Sequence, residues 1–264
     1  MRTRGVALEL AVQDAAGARV ARQVGADRVE LCGALGATGG LTPTLGLVEQ
    51  VVAVGLPVHV LIRCRPGPFV FDGDEVAVMA RDAGLAIRAG AAGVVCGALT
   101  ADGTVDADAL TRLRDAARAA DPAAEVTCHR AFDVLIGARR AQLSLDELVG
   151  LGFARVLTSG GAARSLDGRA VLAELVCQAD GRIEIQAGGG VRADDVAALV
   201  ATGVDAIHAS AKASRLIPGA VPGPGGGTDE TVEYTEPDLA RAYAAAVRAC
   251  RTRILDGGGP GDAP

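Results

Sequence analysis

The sequence predicts an α/β fold, a single-domain (β/α)8 TIM barrel, and three observations carry that prediction. Eight short runs rich in β-branched residues alternate with longer Ala/Arg/Asp/Glu stretches of helical period, in units of about thirty residues. Four joins share one form, GADRVE (25–30), GAAGVV (90–95), GFARVL (152–157) and GVDAIH (203–208). In each, a glycine able to take positive φ ends a helix and a strand begins three residues on. Cys32, Cys64, Cys96 and Cys128 recur at a spacing of 32 residues, each at or near the end of an apolar run. An open doubly wound sheet is the alternative, but it calls for fewer strands and a Gly-rich first turn, and ALELAVQDA has no glycine there.

Taken in order, ALEL (7–10) is the first strand and 14–24 the helix after it, closed by Gly25. RVELC (28–32) is the second strand. Thr42-Pro43 has the residue types of a cap and first helical position, and starts a helix over 43–54. VHVLIR (58–63) is the third strand, followed by a helix over 74–89 and the fourth strand in GVVCGAL (93–99). A helix over 106–119 leads to EVTCH (125–129), and RVLTSG (155–160) is the sixth strand. Ser165 is the cap signal of a helix over 165–179, after which come RIEIQAGGG (182–190), a helix over 192–202 and the eighth strand, AIHASA (206–211). A final helix covers 237–250. The barrel domain spans 1–255. Within it RLIPGAVPGPGGGTDETVEY (215–234) is too long and too rich in Gly and Pro for an ordinary βα loop. It is expected to be a flexible insertion at the barrel mouth, either passive or a lid in which Leu216, Ile217 and Val221 cover the opening. DGGGPGDAP (256–264) is expected to be a disordered tail.

Composition narrows the function. Half of the 264 residues are hydrophobic, enough for a large core. Aromatics are 2% with no Trp, and the net charge is −6, which argues against nucleic acid and anionic membranes as partners. No signal-peptide shape opens the chain and no apolar run is long enough to span a bilayer, so a cytoplasmic location is expected. The six cysteines form no CxxC pair, which favours free thiols. Lys212, the one lysine, is the one candidate for Schiff-base chemistry and is expected to face solvent.

In such a barrel the carboxyl ends of the strands form the active face. Strand alternation groups Glu9, Glu30 with Cys32, His59 with Arg63, and Thr127 with His129, while Cys64 and Cys128 have the opposite parity. VTCHRAFD (126–133) adds Arg130 and Asp133 within five residues of His129, and Thr158, Ser159, His208 and Ser210 lie on the same rim. The catalytic candidates are Glu9, Glu30, Arg63, His129 and Asp133, with Glu30 or His129 moving a proton. Arg65, Arg130, Gly188, Gly189, Gly190 and Ser210 are the anion-binding candidates, because glycines after strand seven let the backbone approach a phosphate closely. Each has a plainer alternative. His129 is equally a satisfied barrel histidine, Glu9 and Glu30 neutralise Arg63 as a buried ion pair, the glycines form only a tight turn, and Cys32 is a small buried hydrophobe.

GADRVELCGALGATGGLTPTLGLV (25–48), PVHVLIRCRPGPFVF (57–71), GVVCGALTADGTVD (93–106), VTCHRAFD (126–133), LGFARVLTSG (151–160), AGGGVRADDV (187–196) and HASA (208–211) resemble the CutC family. The resemblance runs from about residue 7 to 211 and implies a TIM barrel, a cytoplasmic location and copper binding or tolerance. The family's proposed copper ligands are cysteines at the ends of strands one and two. Here Ala11 stands at the first position and Cys32 at the second, so Cys32 is the metal candidate, with Cys96 or His129 as the further donor. Cys128 stands where the family commonly has Phe, and its parity points it at the helices. A lone thiolate suits Cu(I) poorly, and arginines around the mouth repel a cation. Two functions therefore compete: a copper-handling protein, and an enzyme of acid–base type acting on a small anionic or phosphorylated substrate. Barrels often dimerise, so a homodimer is an expectation of the fold alone.

Overall fold

In a parallel barrel each strand is covered on both faces, so successive residues must suit two different interiors. The structure, a computed structural model, describes residues 5–137, 140–216 and 231–255. β1 (Ala7–Val12), β2 (Arg28–Leu31), β3 (Val58–Leu61), β4 (Gly93–Cys96), β5 (Glu125–Cys128), β6 (Arg155–Thr158), β7 (Glu184–Gly188) and β8 (Ala206–Ala209) pair in order, and β8 returns to β1 to close the barrel. Each lies on one of the eight runs read from the sequence, β1 extending two residues further. The helices are α1 (Ala15–Val24), α2 (Leu35–Thr38), α3 (Leu45–Val52), α4 (Gly73–Arg88), α5 (Ala107–Ala120), α6 (Ala131–Gly137), α7 (Ala141–Gly150), α8 (Arg169–Ala179), α9 (Val196–Val200) and α10 (Pro237–Leu255).

The main core lies between strands and helices. Leu10, Val29, Leu31, Val60, Val94, Val126, Val156, Ile185 and Ile207 are fully buried there. The four shared joins behave as their sequences predict: Gly25, Gly90, Gly152 and Gly203 take φ of 79°, 97°, 73° and 89°. Two of them carry a further device. Asp27 and Asp205 accept hydrogen bonds from the N–H of Leu8 (2.7 Å) and Ile185 (2.8 Å), in the strands alongside. Ser165 is not the cap expected of it. α8 begins at Arg169, and the Ser165 hydroxyl instead donates to the Gly189 carbonyl at 3.0 Å, bracing the loop after β7.

After β8 the expected loop is partly a sheet. β9 (Lys212–Leu216) and β10 (Thr231–Thr235) pair antiparallel, so both ends of the 215–234 segment are strands. Lys212 is exposed to solvent, as expected. It pairs with Glu233 at 2.6 Å, and Glu233 also accepts from the Gln13 side chain and the Gly36 N–H, both at 3.0 Å, fastening the ribbon beside α2. Ile217 and Val221, the other two residues of the expected lid, lie outside the described residues, as does the 256–264 tail. Leu216 is exposed in β9. Among the described residues no helix is long and apolar enough to cross a membrane.

Replacing Asp205 with Ala strands the Ile185 N–H at the start of β7. The expected cost is about 1–3 kcal/mol, a fall in Tm of about 2–4 °C per kcal/mol, measured by thermal melting. An unchanged Tm would show that water replaces the carboxylate.

Candidate functional site

The barrel interior is built from the inward residue of every second strand position, and its lower half is charged. Glu9 on β1 is the centre: Arg28 Nε lies 2.5 Å from it, Gln186 Nε2 2.6 Å and His208 Nδ1 2.8 Å. His59 Nδ1 stands 3.6 Å away. Burial by itself would raise the Glu9 pKa, but the Arg28 charge and the bonds from His208 and His59 outweigh it and hold the carboxyl well below its ordinary range. Arg155 forms the second half of the network, reaching Glu184 (2.9 Å), Glu125 (3.0 Å) and Thr127 (3.0 Å). Glu9 therefore neutralises Arg28, not Arg63 as the sequence reading had it. The reason is register: Glu9 is the direct neighbour of Arg28 across the β1–β2 ladder.

One level higher, Glu30 on β2 meets His208 Nε2 at 3.4 Å. Burial, with the Glu9 charge behind it, pushes the Glu30 pKa up to about 7 against the pull of His208. Burial would lower the His208 pKa, but the Glu9 bond and the Glu30 and Glu9 charges hold it above its usual value. Glu9, Glu30 and His208 place ligand atoms within 4.8 Å of one another, the geometry of a cation site. Both oxygens of Glu9 are already taken by Arg28, Gln186 and His208, so the group closes on itself as a charge-balanced network.

Above this lies a cavity of about 330 Å³ at the carboxyl ends of the strands, walled by Glu30, Arg63, His129, Gly189, Gly190 and Ser210. Arg63 reaches it from the end of β3. Its Nη1 donates to the carbonyls of Thr38 (3.1 Å) and Gly40 (3.2 Å) and its Nη2 to that of Gly67 (3.0 Å). Its Nε is buried with no partner, and among the described residues no carboxylate pairs with it. Burial, then the charge of Arg65, lowers its pKa. His129, just past β5, fits because Gly97 opposite has no side chain; a Cβ there would sit 2.4 Å from the imidazole Cε1. The ring lies against Phe69, centroids 4.7 Å apart, and Arg63 covers the same Phe69 at 5.0 Å. The Ala131 N–H donates to His129 Nδ1 at 3.1 Å, and Nε2 is buried without a partner. Burial, then Arg63, lowers the His129 pKa to about 4, so the ring is neutral at physiological pH. The Ser210 hydroxyl is the third buried group with no partner.

The structure thus brings together Glu30, Arg63, His129, Arg130, Gly189, Gly190 and Ser210, together with Cys32, around one cavity. It does not bring the others. Asp133 in α6 turns away and accepts from Thr158 Oγ1 (2.5 Å), the Ser159 N–H (3.0 Å) and Arg130 (2.7 Å), pinning the end of β6. Arg65 is paired with Glu75 and covers Phe71 outside the cavity. Glu9 lies beneath the floor, and Gly188 makes room for Leu157 and His208. Sequence reasoning missed Arg28 and Arg155 as interior charges and gave Phe69 no part. Arg28 was findable, since it has the same parity as Glu30; Phe69 lies in a loop, where no period applies.

Among the described residues Cys32, Cys96 and Cys128 are not gathered at one point. Cys32 packs against Leu61 and Val95, and its Sγ lies 3.8 Å from the Val12 carbonyl. Burial, then the Glu30 charge, pushes its pKa up, away from the thiolate a soft ion needs. Cys96 and Cys128 join the core between strands and helices, so neither faces Cys32 across the barrel, and Ala11 supplies no sulfur. Cys128 faces the helices, as its parity predicts.

Comparison with known proteins follows the fold and the rim motifs. A family protein CutC of Agrobacterium fabrum is 46% identical over 210 residues, covering 79% of this chain and 80% of its own length. One of Rhizobium meliloti is 39% identical over 256 residues, covering 94% and 96%. The crystal structure of a Streptococcus agalactiae protein, solved as a candidate copper homeostasis protein CutC, superposes with a TM-score of 0.70 at 31% identity, covering 77% of this chain and 97% of that one. Residues 6–213 match the model of the CutC family, and the chain belongs to that family.

Proposed function

We propose that the cavity takes a small anionic organic molecule and that Glu30 exchanges a proton with it, so that the protein is an acid–base enzyme. The observation that carries this reading is Arg63: a buried guanidinium without a carboxylate, its Nε unused, in the same wall as the unpartnered His129 Nε2 and Ser210 Oγ. A partly buried guanidinium without a counter-charge favours an anionic ligand beside it. Gly189 and Gly190, at φ of 113° and 61°, bring backbone to the opposite wall, where barrels commonly hold phosphate. Glu30 supports the chemical step, since a carboxyl titrating near 7 can both take and return a proton at physiological pH.

Copper is the second reading, supported by the description of the Streptococcus agalactiae relative. Cys32 is the one sulfur ligand in the cavity wall. A cytoplasmic location belongs to the same proposal, because Cys32, Cys96 and Cys128 are singly buried free thiols suited to a reducing compartment.

Calorimetry with glycerol 3-phosphate tests the anion site. Arg63→Met is expected to weaken binding about 10- to 100-fold, the worth of a charge-assisted hydrogen bond. Equal affinity in the two proteins would remove the site.

The pH dependence has a fixed sign. Glu30 binds its proton more tightly folded than unfolded, where its value is 4.5, so ionising it costs stability as pH rises from about 4.5 through about 7. Glu9, His208 and the Cys32 thiol face it. Glu30→Gln is expected to gain stability relative to the parent across that window, by up to a few kcal/mol at pH 8, read from denaturant unfolding. A difference that stays flat with pH would mean that Glu30 is ionised throughout.

Cu(I) titration against a competing chelator is expected to give no stoichiometric binding, and Cys32→Ser to change nothing. Tight one-to-one binding lost in Cys32→Ser would reinstate copper.

A further inference from the structure

We propose that the substrate is a small phosphorylated compound carrying a carbonyl group, and that the cavity enolises it: Glu30 removes the proton next to the carbonyl while His129 Nε2–H holds the carbonyl oxygen. The inference rests on the acid–base reading above and deepens it. Its starting point is which ring nitrogen of His129 carries the proton. Nδ1 accepts from the Ala131 N–H at the start of α6, so in the neutral ring the proton is on Nε2. Gly97 lies against the Cε1–Nδ1 edge of the ring and Phe69 packs on it. Nε2–H is therefore a buried donor on a residue of the cavity wall, with no partner among the described residues. Burial and Arg63 keep the ring from becoming a cation, so His129 has no proton to give up and no lone pair facing the ligand. It is a hydrogen-bond donor, not the general base that the sequence allowed.

A neutral donor of this kind complements an oxygen that gains negative charge during reaction, as a carbonyl oxygen does when it becomes an enolate. Arg63 Nε and Ser210 Oγ, with the Gly189–Gly190 backbone, are left for the phosphate. Glu30 is the carboxylate in the cavity wall, held from below by His208. In the step itself the Glu30 carboxylate takes the proton from the carbon beside the carbonyl. The C–H electron pair becomes the new C=C bond and the carbonyl π pair moves to oxygen. Glu30 then returns a proton to the same carbon, the C=C pair re-forming the C–H bond and the oxygen pair re-forming the carbonyl, so that the step exchanges this hydrogen with solvent. No oxidant, reductant or second substrate enters.

The experiment compares two probes by calorimetry: glycerol 3-phosphate, which has the phosphate without a carbonyl, and phosphoglycolohydroxamate, which mimics a phosphorylated enolate. The wild-type protein is expected to bind the enolate mimic at least 10-fold tighter. His129→Phe is expected to erase that preference while keeping glycerol 3-phosphate affinity, and His129→Gln, which retains a neutral N–H donor, to restore part of it. Nitrogen-15 shifts of His129 at pH 6.5 are expected to report the neutral Nε2–H form. Glycerol 3-phosphate binding with no preference for the mimic overturns the carbonyl inference and leaves the anion site standing. An Nδ1–H or cationic ring at pH 6.5 also overturns it. Failure of both probes to bind overturns the anion site itself.

Discussion

Glu9 is the group on which the rest of the interior depends. A carboxylate at the axis of a closed barrel has no water to turn to, so every hydrogen-bonding position must be filled by protein. Arg28, Gln186 and His208 fill them, from β2, β7 and β8. Three strands that neighbour or nearly neighbour β1 are thereby tied to one side chain. The register of the ladder that brings Arg28 opposite Glu9 is the same register that sets Glu30 one level up, under the cavity.

From this arrangement the difference between the two glutamates follows. Both are buried, but Glu9 has a guanidinium against it and Glu30 has only the shared His208. Their pKa values are driven apart, one low and one near 7, which is how a fold sets one carboxylate as a fixed charge and another as a proton carrier. His208 joins them: its Nδ1 serves Glu9 and its Nε2 serves Glu30, so the ring's orientation is set by the carboxylate that does not titrate near neutrality.

The rim adds what the network lacks. Below the floor the described charges are matched among themselves, whereas at the mouth Arg63 spends its donors on the carbonyls of Thr38, Gly40 and Gly67 and retains its charge. Those three carbonyls belong to the end of α2 and to the turns at Gly40 and Gly67, so Arg63 also fixes the shape of the wall it electrifies. Asp133 plays the complementary part across the cavity, where it orders the end of β6 and holds Arg130 beside Gly189.

How much of this was legible in the chain depended on whether the signal was local. Strand identity, the left-handed glycines at 25, 90, 152 and 203, and the inward parity of Glu9, Glu30, Arg63 and His129 are properties of short segments, set by backbone sterics and a two-residue period. The sequence by itself therefore determined the barrel and the face on which the site lies. It did not determine partners. Which arginine meets Glu9 is decided by ladder register, and whether Asp133 faces the cavity or β6 is decided by the direction in which α6 leaves β5. The β9–β10 ribbon escaped detection because its strands are joined through a long Gly- and Pro-rich segment, and its anchor is Glu233 meeting Gln13 and Gly36 from far along the chain. Proton placement on His129 is the furthest from sequence of all. It needs the Ala131 amide, the absence of a side chain at Gly97, the Phe69 ring and the Arg63 charge in one place, and only the closed barrel assembles them.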